Sequence, residues 1–174
     1  MSRIGYPLDR IRGIAFDIDG VLSPALVPMD SNGIPQRMAN LHDGYALVLA
    51  VRAGLHIALI SGADTPAVRA RFGKIGITDM YLGDGDKLEW LNTWMRLRGL
   101  APDETAYCGD DLPDLAPMKT VGLPVAPRDA APEIKAVAKY ITTADGGHGV
   151  ARELIEEILK VRGLWTATSS AYGK

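Results

Sequence analysis

Cysteine is nearly missing from this chain. Cys108 is the only one in 174 residues, so no intrachain disulfide can staple the fold. No excess of one charge exists either. Lys and Arg number 19 against 21 Asp and Glu, a formal net charge of −2, which leaves no basic footprint for nucleic acid. No apolar run approaches the ~20 residues that a bilayer-spanning helix needs. The first residues, Met1-Ser2-Arg3-Ile4-Gly5, lack the charged-then-apolar layout of a signal peptide. A cytoplasmic protein with no nucleic-acid or membrane partner is expected. Low-complexity tracts are lacking too: the 19 glycines and 11 prolines punctuate the chain between apolar runs. The length suits a single domain over 1–174 with a core that folds unaided.

What is present is an alternation. Short, continuously apolar runs at Ile11–Ile18, His56–Ser61, Met80–Leu82, Thr105–Cys108, Gly122–Ala126 and Lys139–Ile141 read as strands covered on both faces. Helical patterns lie between them at Asp43–Ala53, Thr65–Ile75, Asp86–Arg98, Leu112–Thr120, Ala131–Ala138 and Val150–Arg162. Pro66 after Thr65 suits a first helical position, and Gly99 suits a helix end. This order predicts an α/β fold with a doubly wound, mostly parallel sheet. Ligands collect at the carboxyl ends of such strands. Between Val21 and Leu41 no helical period exists. Three prolines and the Asn32-Gly33 turn signal predict a β-hairpin flap over about 21–41. The flap and one helix fill the interval from Asp19 to Ser61, leaving no room for a cap domain.

Four polar groups fall at predicted strand ends or helix starts. Asp17 and Asp19 sit at the C-terminal tip of the first strand, and two carboxylates buried there need a cation or a proton to coexist. A hard divalent ion such as Mg²⁺ suits an all-oxygen site, and it would leave one carboxylate ionised as a nucleophile. The plainer alternative is a turn cap, with Gly20 relieving the backbone. Ser61-Gly62 closes the second strand and offers a hydroxyl and backbone N–H groups to a phosphate, although a serine there also serves as an ordinary helix cap. Lys87 opens a helix, the end that disfavours cations, and makes sense facing an anion. It could equally be a solvated surface lysine. Asp110, Asp111 and Asp114 crowd into Gly109–Asp114 after the fourth strand, and capping explains only one of them.

The set Asp-x-Asp, Ser, Lys, Gly-Asp-Asp-x-x-Asp resembles the haloacid dehalogenase superfamily of phosphotransferases over nearly all of the chain. The resemblance implies that Asp17 attacks phosphorus and that Asp19 protonates the leaving alcohol, then activates water. It gives Ser61 and Lys87 the phosphoryl oxygens. It gives Asp17, the Asp19 backbone carbonyl and Asp110 the Mg²⁺. Asp111 and Asp114 would orient the metal shell and Lys87. An aspartate at position 19 favours a phosphatase with an acid/base group.

The segments Asn40–Tyr45 and Gly146–Glu153 narrow the likeness to the capless, tetrameric branch of 3-deoxy-D-manno-octulosonate 8-phosphate phosphatases. That branch implies a homotetramer, a sugar acid phosphate as substrate and a place in lipopolysaccharide precursor synthesis. Asn40, His42, Asp43, Gly44, Gly62 and Arg71 would line the sugar-acid pocket, with His148 and Arg152 near a C-terminal tail over about 163–174. A neighbour's flap and tail would close the site and exclude water. Trp165 would anchor a subunit contact or pack locally. One departure stands out. Many members of the branch carry Ser/Thr-Gly-Arg where this chain has Ser61-Gly62-Ala63, and relatives acting on nine-carbon sugar acids carry a glutamate there. Arg69, Arg71 or Lys74 on the next helix would have to restore the charge. The alternatives are a phosphatase for a nine-carbon sugar acid 9-phosphate or another small phosphomonoester, a phosphoacceptor signalling module, and a non-catalytic oligomerisation module. Motif order disfavours the signalling-module reading, and the retained carboxylates disfavour the last.

Overall fold

The computed structural model describes residues 2–166, and the end of the expected tail lies outside them. Six parallel strands form one sheet: β1 (Gly13–Phe16), β2 (His56–Ser61), β3 (Asp79–Leu82), β4 (Thr105–Cys108), β5 (Leu123–Ala126) and β6 (Tyr140–Ile141). Their order is β3-β2-β1-β4-β5-β6. The chain winds outward from β1 to β3 and then crosses back to place β4 on the other side of β1. Gly13 is therefore in register with His56 on one flank and Thr105 on the other. The carboxyl end of β1 is the point where the winding reverses, and it opens a crevice there.

Strand alternation sends successive side chains to opposite faces. Ile14 and Phe16 join Ile57, Leu59, Ala106, Cys108 and Val125 in one core. Helices α1 (Leu41–Arg52), α2 (Pro66–Gly73) and α6 (Val150–Val161) cover that face. Ala15, Ala58, Ile60 and Tyr107 face the other way, under α3 (Lys87–Arg98), α4 (Leu115–Thr120) and α5 (Pro132–Val137). Both faces are dry, which is why the strands read as apolar runs rather than alternating ones. Among the described residues, no helix is long and apolar enough to cross a membrane.

Most element bounds differ from the expected ones by a residue or two, and three of the shifts have clear local reasons. β1 stops at Phe16, short of the expected Ile18, because the chain turns there: the N–H groups of Leu22 and Ser23 both donate to the Ile18 carbonyl. α1 starts at Leu41, earlier than expected, because the Asn40 side chain accepts from the His42 and Asp43 N–H groups and caps it. The expected helix over Leu112–Thr120 begins as a 3₁₀ turn, Leu112–Asp114, before α4. The flap is a hairpin turn held by one antiparallel bridge, Met29 with Pro35, and by Asp30, whose carboxylate accepts from the Asn32 and Ile34 N–H groups. Prolines 24, 28 and 35 lack the N–H groups that a longer ladder would need.

Candidate active site

The crevice beside β1 gathers groups from four separate stretches of chain. Asp17, one residue past β1, is 6% exposed. Its Oδ1 accepts from the Ile18 N–H at 2.6 Å, and its Oδ2 accepts from Lys87 Nζ at 2.7 Å. Lys87 is the first residue of α3, capped by Asp86. The same ammonium donates to Asp114 Oδ1 at 2.8 Å. Asp114 is fully buried and also accepts from the Tyr107 hydroxyl at 2.7 Å and the Asp110 N–H at 3.1 Å. Ser61, last in β2 and buried, hydrogen-bonds Asp17 through its hydroxyl. Gly62 follows it, exposed and with open space above its Cα.

One oxygen each from Asp17, Asp110 and Asp114 lies within 4.8 Å of the others. Gly20 makes this approach possible. It sits at φ +81°, and a methyl group there would stand 1.9 Å from an Asp110 carboxylate oxygen. Burial, and then the charge of Asp114, push Asp17 up to about 6 despite Lys87. Burial followed by Asp17 and Asp114 pushes Asp110 up to about 7. Burial alone would lower Lys87, but Asp17 and Asp114 outweigh it and hold the ammonium above its ordinary value. Three carboxylates facing one ammonium are short of positive charge. Their hard, anionic, all-oxygen set fits a Mg²⁺-type cation rather than a soft metal.

The structure separates other expected site residues from this centre. Asp111 was expected to orient the metal shell, but it is exposed and accepts from the Leu112 N–H as the cap of the 3₁₀ turn. The Asp19 side chain is outside the carboxylate cluster and is gripped by Arg37. Asp43, expected in the sugar-acid pocket, is 2% exposed and accepts from the Arg152 N–H at 2.7 Å. It caps α6 from another helix, because Gly149 has no side chain to do so. Asn40 is likewise a cap and donates to the Gly147 carbonyl, while His42 is exposed in the first turn of α1. His148 lies on that same Gly146–Gly149 turn, its Nδ1 2.8 Å from the Gly146 carbonyl. Arg152 stacks on Trp165 at 4.3 Å.

Arg71 crosses over Gly44, where a methyl group would meet its guanidinium at 2.4 Å. It lines a cleft of about 500 Å³ between the flap and α2. Of the three cations offered to replace the charge missing at Ala63, it is the one that faces this cleft. Arg69 is held by Asp64 at 2.8 Å, and Lys74 is exposed at the far end of α2. Ala63 itself is buried in the core. Two residues escaped the sequence reading. Arg37 lies in a stretch with no periodicity. Tyr107 reads as a core strand residue, and only strand parity, which points it toward α3 rather than α1, signals it.

A model of the haloacid dehalogenase-like hydrolases matches residues 60–154. This chain belongs to that family. It is 37% identical over 155 residues to the 3-deoxy-D-manno-octulosonate 8-phosphate phosphatase of Escherichia coli K12, covering 89% of this chain and 82% of that one. The Moraxella catarrhalis enzyme of that name, solved with a magnesium ion, a phosphate ion and a KDO molecule, superposes with a TM-score of 0.88. It is 32% identical, with 95% of each chain covered. The Yersinia pestis enzyme superposes at 0.86 with 34% identity, covering 91% of this chain and 85% of that one.

The buried Asp43 gives a pH signature of its own. Burial pushes it up to about 6 against the Arg152 N–H bond, and its Oδ2 has no hydrogen-bond partner. Below about pH 4 the carboxyl is protonated in folded and unfolded chains alike. Between about 4 and 6 the unfolded chain ionises first, so stability falls with rising pH, by about 3 kcal/mol at most since the α6 dipole opposes the shift. Asn cannot ionise. The melting temperature of Asp43→Asn relative to the parent is therefore expected to climb between pH 4 and 7 in thermal scans. A pH-independent difference would place the ionisation elsewhere.

Proposed function

We propose that this haloacid dehalogenase-like hydrolase is a Mg²⁺-dependent phosphatase that releases phosphate from 3-deoxy-D-manno-octulosonate 8-phosphate. The observation that carries the reading is Lys87 lodged between Asp17 and Asp114, with Asp110 alongside. The magnesium, phosphate and KDO bound by the Moraxella relative support it. Mg²⁺ would be held by Asp17 and Asp110, with the Asp19 carbonyl, and would mask the repulsion between phosphate and carboxylate.

In this reading Asp17 is the nucleophile and forms an aspartyl-phosphate as the ester oxygen leaves. Asp19 gives that oxygen its proton, then takes one from the water that cleaves the acyl phosphate. Lys87, the Ser61 hydroxyl and the Gly62 N–H hold the equatorial oxygens, because a phosphoryl group in flight needs charge and position more than covalent help. Asp114, fixed by Tyr107, positions Lys87. Arg71, rather than a residue at 63, meets the substrate carboxylate, and Gly44 makes room for it. We further infer that the protein acts as one domain in a cytoplasmic homotetramer. Leu26 and Met29 on the flap are 89% and 70% exposed, which suits burial by another subunit.

The test is phosphate release from the eight-carbon substrate, a nine-carbon sugar acid 9-phosphate and hexose phosphates, with Mg²⁺ and again with a chelator. Expected are a preference of about 10²-fold or more for the eight-carbon acid and loss of all turnover on chelation. Comparable weak turnover of every substrate would move the natural substrate to another phosphomonoester. A monomer by light scattering at micromolar concentration would remove the tetramer.

A further inference from the structure

Arg37 grips Asp19 with a two-pronged fork. Its Nε and one terminal nitrogen each donate to a different carboxylate oxygen, both at 2.8 Å. Such forks are the stronger kind of ion pair, and this one is partly shielded, with the Arg37 side chain 15% exposed. Arg37 belongs to the flap, whereas Asp19 belongs to the turn after β1. In this arrangement Asp19 points to the flap and takes no part in the carboxylate cluster around Asp17. A proton donor to the leaving oxygen must turn from the flap to that centre.

The cleft explains what would turn it. Ile18, which precedes Asp19, and Ser23, which forms a backbone bridge with it, are part of its lining. Among the described residues lining it, Arg37 and Arg71 alone are charged, one on the flap and one on α2. The remaining wall is largely apolar, including Leu22, Pro35 and Phe72, so an anion entering there meets two cations in a weakly screening site. Arg37 cannot serve that anion and Asp19 with the same fork.

We propose that Arg37 is a substrate-exchanged latch on Asp19. In the free enzyme the fork holds Asp19 against the flap. A substrate carrying a carboxylate at the end remote from its phosphate takes the guanidinium, and Asp19 is released toward the reacting centre. The two positions of the Asp19 side chain are the two states, and the anion's contact with Arg37 is the differential contact that shifts them. Arg37 thereby couples recognition of the acid end to the chemistry at the phosphate end. This rests on the phosphatase reading above. It also supplies selectivity for acids in a chain that has alanine at position 63.

The test compares the parent, Arg37→Ala and Arg37→Lys on the eight-carbon sugar acid phosphate and on a hexose 6-phosphate, which has the same kind of alkoxide leaving group and no carboxylate. For Arg37→Ala, kcat/KM on the acid is expected to fall roughly 30-fold or more, mainly through KM. On the hexose phosphate kcat is expected to rise about 2- to 5-fold, because the fork no longer has to be broken. Arg37→Lys keeps the charge without the fork. It is expected to recover part of the KM for the acid and to show the same rise with the neutral sugar. Opposite signs on the two substrates support the latch. Parallel losses on both substrates, or no change on either, overturn it. No Mg²⁺-dependent release by the parent from either substrate overturns the phosphatase reading instead, before any variant is compared.

Discussion

Asp17→Asn is expected to abolish phosphate release, by at least about 10⁴-fold in single-turnover assays, while leaving the metal-free protein no less stable than the parent. Loss of a nucleophile commonly costs that much, because the remaining groups work only through it. The stability half of the expectation comes from electrostatics. Burial and Asp114 push Asp17 up to about 6. An acid raised in the folded state costs stability as pH climbs from its unfolded value toward the folded one, and the cost persists above it. Asparagine removes that cost and keeps an oxygen for the Ile18 N–H, but gives up one of the two partners of Lys87. A melting temperature without Mg²⁺ at pH 7.5 that equals or exceeds the parent's would mark Asp17 as a residue kept for chemistry at the expense of the fold. Residual phosphate release within about tenfold of the parent would place the nucleophile elsewhere.

Most of what positions this centre was legible in the sequence. β2 and β4 were predicted with the bounds they have, because strands covered on both faces are continuous apolar runs with sharp polar ends. Asp17 and Asp110 stood out because each lies just past such an end. What the sequence could not supply was direction within a turn. Asp110, Asp111 and Asp114 are alike in composition and close in sequence, and only the 3₁₀ turn at Leu112–Asp114 decides that Asp111 faces solvent while Asp114 meets Lys87. Partners remote in sequence were equally hidden. Arg37 reaches Asp19, Tyr107 fixes Asp114, and Asp43 caps α6 from 109 residues away. Each is a polar side chain whose partner is brought to it by tertiary proximity, and none leaves a periodic trace. Arg71 was anticipated from helical spacing, but its choice over Arg69 depends on Asp64 claiming Arg69.

Lys87→Ala is expected to act in the opposite direction on stability. The ammonium is the positive group hydrogen-bonded to both Asp17 and Asp114, whose side chains are 9% and 1% exposed. Its value is held above the ordinary lysine range by those two carboxylates, against the pull of burial. A raised lysine contributes its full stabilisation below its unfolded value, so at neutral pH all of that contribution is lost on truncation. Removing one partner of a buried pair leaves uncompensated charge, worth about 3 kcal/mol. The melting temperature without metal is expected to fall accordingly at pH 7.5. It should fall less near pH 5, where Asp17 and Asp110 take up protons. Phosphate release should drop about 10²- to 10³-fold, the cost of losing one fixed charge from a transition state. Saturating Mg²⁺ should restore part of the stability, since it binds the folded carboxylates preferentially, yet restore little turnover if, as proposed, the lysine meets the phosphoryl oxygens from a position of its own. If Mg²⁺ recovered both together, Lys87 would be a counter-ion for the carboxylates and nothing more. If it recovers stability alone, the lysine holds two separable roles, one toward Asp17 and Asp114 and one toward the substrate.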